Sequence, residues 1–163
     1  MEHRDTLLTF AEIAVALAGF TGLVSVMGGR DRREASRQTD WFRLRLMLEV
    51  ALRNAAFALS PIPFLALTSP ETIIWRIASG VYLVAVPAHI LFRQRQSRAA
   101  GIDRALSSPS MSLLPISLLV CMANVIGLGG THAFSLYLLS LLLGLFTAGM
   151  LFVSVAGSLF SDD

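Results

Sequence analysis

Long apolar stretches alternate with short polar ones along the whole chain. Residues 7–28, 44–67, 73–92 and 111–160 are apolar, and the segments between them hold most of the charge. A helix needs about 20 apolar residues to cross about 30 Å of hydrocarbon. The last block, as one helix at about 1.5 Å per residue, would run about 75 Å, far more than a bilayer is thick. It has to fold back, and the glycines of "GLGGTH" at 127–132 supply the break. The pattern predicts an all-α integral membrane bundle of five transmembrane helices, at about 7–28, 44–67, 73–92, 111–129 and 133–159. Residues 1–163 then form a single polytopic domain.

Composition agrees with this pattern. Of the 163 residues, 55% are hydrophobic and 15% charged. Soluble domains hold about 45–50% apolar and about 25% charged residues. Cys121 is the single cysteine, which excludes an intrachain disulfide and a thiolate metal cluster. No P-loop, zinc-protease or Cys-x-x-Cys signature is present, nor a serine elbow, so neither a metal nor another cofactor is expected.

The arginines orient the bundle. Arg30, Arg32, Arg33, Arg37 and Arg43 lie between the first two spans, and Arg93, Arg95, Arg98 and Arg104 between the third and fourth. The other two connections, "TSPET" and "GGTH", carry no basic residue. Basic loops stay in the cytoplasm, which places the N-terminus outside and the C-terminus inside. The expected location is a bacterial cytoplasmic membrane. Anionic lipid is the expected partner of the inner arginine loops, and no nucleic acid is expected.

Lipid tails are as apolar as leucine, so helices in a bilayer associate through small residues and polar contacts. Ala14, Ala18 and Gly22 form one small row on span one, and Ala11, Val15 and Gly19 another. Span one is therefore expected at the centre of the bundle or of a homo-oligomer. Spans four and five each carry a polar stripe: Ser117, Cys121 and Asn124 on one, Tyr137, Ser140, Gly144, Thr147 and Ser154 on the other. These stripes serve either as glue between helices or as the lining of a narrow wet route.

Ionisable residues inside spans need partners, because at the centre of an inserted helix each costs about 2.5–3.5 kcal/mol. Glu12 is expected either to pair with Arg76, placed at a similar depth on span three, or to line a pathway for ions with Thr9, Asn124, Ser140 and Thr147. Arg45, Glu49 and Arg53 follow one another at helical spacing and share a face. With Asn54 they form either a structural ladder or an inner vestibule that binds an anion. Pro61 and Pro63 remove donors from the same helix, freeing the carbonyls of Phe57 and Leu59.

Three functions fit these features. The first is a small homo-oligomeric membrane protein with a polar pathway for cations, protons or small solutes. The second is a non-catalytic membrane subunit, sensor or effector. The third is a membrane enzyme acting on a lipophilic substrate. A basic first loop and a second helix carrying Arg53, Glu49 and Asn54 give a layout that resembles the membrane-associated eicosanoid and glutathione metabolism family, and that resemblance implies the enzyme. Here Glu49 precedes Arg53 and Asn54, unlike that family's order, and the span count differs.

Overall fold

The computed structural model describes residues 2–27, 34–66, 70–99 and 113–160. Side chains of residues 24–43, 96–112 and 154–163 lie outside that description, and with them most of the two arginine-rich segments and Ser154. Among the described residues there are five long helices: α1 (Glu2–Met27), α2 (Glu34–Leu59), α4 (Glu71–Ala99), α5 (Leu113–Val125) and α6 (Ala133–Phe160). A four-residue helix, α3 (Ile62–Leu65), follows α2, and a 3-10 turn (Gly130–His132) precedes α6.

Three helical stretches are long and apolar enough to cross a membrane: Glu2–Leu23, Glu71–Arg95 and Gly130–Val153. α2 is not in that group, and α5 is too short at 13 residues. The five helices stand where the hydropathy pattern puts them, but α1, α2 and α4 run past the apolar blocks. α1 starts at Glu2, where Glu2 and Asp5 complement the positive end of the helix dipole. α2 starts ten residues before its apolar block and α4 ends seven residues beyond its own, since polar residues propagate a helix as readily as apolar ones.

The breaks come from identifiable backbone chemistry. Gly127 has φ +87°, a left-handed conformation that glycine adopts at no steric cost. Its N–H donates to the Asn124 carbonyl (3.1 Å), and the Leu128 N–H donates to that of Ala123 (3.0 Å). These two bonds are a Schellman cap, which ends α5. Pro61 ends α2 after Leu59. The carbonyl of Phe57, deprived of its usual donor, accepts from the Tyr137 hydroxyl at 2.6 Å and from Ser60 Oγ at 3.0 Å. α4, by contrast, continues through Pro87.

α6 is the hub, packing against α1, α2, α4 and α5. α1 leans mainly on α2, so within the protomer it sits at the edge and not at the centre. Small residues let two backbones approach each other, but they do not decide which side of a helix is covered. Leu7, Phe10, Ala11, Ala14, Ala18 and Thr21 face the bundle; Thr9, Glu12, Ala16 and Gly19 face away from it. The core joins Trp75, Tyr82 and Val86 of α4 to Tyr137 and Leu141 of α6 and Leu7 and Phe10 of α1.

The two polar stripes meet inside this core. Asn124 is fully buried; its Nδ2 donates to Ser79 Oγ (2.7 Å) and to the Ala133 carbonyl (2.9 Å), tying α5 to α4 and α6. Ser117 Oγ donates to the Ser140 carbonyl at 3.1 Å and lies 3.3 Å from the Tyr82 hydroxyl.

Candidate functional site

Arg45, Glu49 and Arg53 of α2 and His89 and Arg93 of α4 gather at one end of the bundle, where α1 ends, α2 begins and α4 ends. This basic end is built around Glu49. Arg45, one turn back on α2, donates from Nε to Glu49 Oε1 at 3.0 Å. Glu49 Oε2 lies 3.1 Å from Arg93 Nε and 3.5 Å from His89 Nε2, both on α4. One carboxylate thus clamps two helices and serves two guanidinium groups and an imidazole.

Exposure falls along the ladder as its spacing suggests. The Arg45 side chain is 60% exposed and that of Glu49 25%. Arg53, a turn further in, has a fully buried Nε with no hydrogen-bond partner among the described residues. No ion pair reaches Arg53 there, since Glu49 points its oxygens at Arg45, Arg93 and His89. The cluster holds three arginines against one glutamate, a formal charge of +2 with His89 neutral.

Beside it a cavity of about 20 Å³ is lined by Arg53, Tyr82, His89, Arg93, Ser117 and Thr147, with aliphatic side chains around them. That volume takes about one water-sized particle. Asn54, fully buried on α2, forms the next layer: its Nδ2 donates to the Val50 carbonyl at 3.0 Å. Its amide lies flat against Gly144 of α6, where a Cβ would fall 2.6 Å from Oδ1 and 2.9 Å from Nδ2. Glycine at 144 is what lets the amide sit between the two helices.

Arg45, Glu49, Arg53 and Asn54 therefore lie together at one end. Thr9, Glu12, Asn124, Ser140 and Thr147 do not come together. Thr9 and Glu12 are on the exposed side of α1, while the other three are buried, with Thr147 bonded to the Leu143 carbonyl at 2.9 Å. The expected Glu12–Arg76 pair is absent: both residues are exposed, and no ion pair joins them among the described residues. Depth is the reason. His3 of α1 stands 5.9 Å from the Trp75 ring, so Arg76 belongs at the level of His3. Glu12 lies nine residues further along α1, about 14 Å deeper at about 1.5 Å per residue.

Arg93 and His89 are the participants that the hydropathy pattern hides. Arg93 follows the apolar block and reads as the first residue of a loop, yet it is 7% exposed. Its signal is the spacing of Tyr82, Val86, His89 and Arg93, alternating steps of four and three that continue the buried face of α4. Comparison with protein-family models, with curated proteins and with solved structures finds no match to this chain.

Proposed function

We propose that the chain is a multi-pass membrane protein, N-terminus outside, that binds a small anion in a cytoplasmic vestibule at the basic end of its bundle. The observation that carries this is Arg53. Arg53 is half-buried, its Nε is shut away from water without a hydrogen-bond partner among the described residues, and the one carboxylate in the cluster is already shared, so part of the cost of withdrawing a charge from water stands unmet. An anion beside Arg53 offsets that cost, in the cavity that Arg53 lines with Arg93 and His89. The cavity suits a monoatomic anion or one oxygen of a phosphate group, reaching in from solution or from a lipid headgroup.

The orientation rests on the arginine-rich segments flanking this end; the three long apolar helices cross the bilayer in this arrangement, with α2 and the shorter α5 packed among them. A pathway for cations or protons along Glu12 has less support, because its lining residues are divided between the outer face of α1 and a hydrogen-bonded core.

The test is what copurifies. Protein purified in neutral, phosphate-free detergent is denatured and extracted; lipid phosphorus is read by 31P NMR and inorganic anions by ion chromatography. We expect one equivalent of lipid phosphate or of inorganic anion per chain, the two being distinguished by the phase that holds it, and loss of that equivalent in Arg53→Leu. An anion-free protein, or the same content in wild type and Arg53→Leu, would overturn the proposal.

A further inference from the structure

One member of the basic end can change its charge near neutral pH. Imidazole is the side chain that ordinarily titrates between about pH 5 and pH 8. His89 is the described imidazole at this end, while His3 packs on Trp75 and Phe134 at the other.

His89 stands where a bound anion would feel its proton. It lines the cavity together with Arg53 and Arg93. Its Nε2 is closed off from water and lies 3.5 Å from Glu49 Oε2. The rest of the ring keeps a way out, with 34% of the side chain exposed. The charged groups that face it are Arg53 and Glu49 of α2 and Arg93 of its own helix. Tyr82 of α4 also lines the cavity, and α5 and α6 bring no described ionisable group to it.

Charge counting gives the consequence. With His89 neutral, Arg45, Arg53 and Arg93 against Glu49 leave the cluster at +2. A proton on His89 raises it to +3, and one monovalent anion restores +2. The anion offsets the repulsion between that proton and the two guanidinium groups, and the proton adds an attracting charge beside the anion. Such coupling is reciprocal.

Given the anion at Arg53 put forward above, we propose that His89 takes up a proton as the anion binds, so that occupancy of the site follows the pH on that side of the membrane. The anion is held tightly in acid and released as the pH rises.

Chloride, sulfate and a short-chain phosphatidylglycerol serve as probes, because none of them titrates in the range where imidazole does. The first two stand for an anion from solution and the third for a lipid headgroup. Affinity is read from the unfolding midpoint at rising probe concentration, at each pH and constant ionic strength. The probe that binds is expected to bind about 5–150-fold more tightly when His89 is protonated than when it is neutral, and His89→Gln to lose the dependence on pH. The chain has three histidines, so His3→Gln with His132→Gln leaves His89 as the one imidazole. In that protein its 15N signal should move towards the cationic form when the probe is added at fixed pH, a readout that needs no change at His89. An affinity independent of pH, or an imidazole indifferent to the bound probe, overturns the coupling and leaves the anion site standing. A pH dependence kept in His89→Gln assigns the proton to Glu49 and overturns the coupling equally. Binding of none of the three at any pH overturns the site and the coupling together.

Discussion

Replacing Gly144 with alanine adds one methyl group at the place where α6 meets Asn54. Ordinary contact begins at 3.4 Å, and the new carbon would stand 2.6 Å from Asn54 Oδ1, so the amide must retreat by 0.8 Å (3.4 less 2.6). Asn54 is fully buried and its Nδ2 is fixed to the Val50 carbonyl, so it has nowhere to go without parting α2 from α6. Overpacking of this kind costs about 1–3 kcal/mol, while alanine in place of a helical glycine returns about 1 kcal/mol. The net expectation is a loss of up to about 2 kcal/mol. Gly149, five residues along the same helix, has nothing within 4 Å of an added Cβ, so Gly149→Ala should show only the gain. Thermal unfolding in detergent, followed by circular dichroism on both variants, reads the two signs side by side. Equal shifts for the two, or a stabilised Gly144→Ala, would refute the contact between Asn54 and α6.

Other expectations follow from the same geometry. Tyr137→Phe removes the hydroxyl that satisfies the Phe57 carbonyl and should cost about 1–2 kcal/mol. Pro61→Ala restores a backbone donor, so a double-mutant cycle between them should show coupling above about 0.5 kcal/mol, read from unfolding midpoints. Glu49→Ala leaves the buried Arg93 without the carboxylate 3.1 Å away. Breaking a buried pair costs about 3–5 kcal/mol, and partial exposure of Glu49 puts this case at the lower end, visible as a drop in midpoint larger than that of Arg45→Ala. Asn124→Ala removes two interhelical hydrogen bonds of about 0.6 kcal/mol each on average, and hydrogen exchange should rise first around the start of α6.

Much of the fold was legible because hydropathy and turn chemistry are local. The turn at Gly127 and the ladder of Arg45, Glu49 and Arg53 each follow from a few neighbouring residues. What stayed hidden depends on which distant residues meet. Asn54 and Gly144 are ninety positions apart, and nothing near either one announces the other. Glu12 and Arg76 look like partners by their places in the two apolar blocks, yet Arg76 lies at the level of His3, about 14 Å along α1 from Glu12, a separation that no local pattern shows. Arg93 was assigned to a loop by its charge, although its spacing from Tyr82 and Val86 marked the buried face.

The central proposal is that the half-buried Arg53 binds an anion at the basic end of the bundle. Unfolding midpoints of wild type and Arg53→Leu, titrated with chloride and with phosphate at constant ionic strength, test it most directly. A ligand at 100 times its dissociation constant stabilises by about 2.7 kcal/mol. Wild type should rise with one of these anions and saturate, while Arg53→Leu should not respond and should match or exceed wild type when the anion is absent. A wild type indifferent to both anions, or a variant that rises in parallel with it, would contradict the claim.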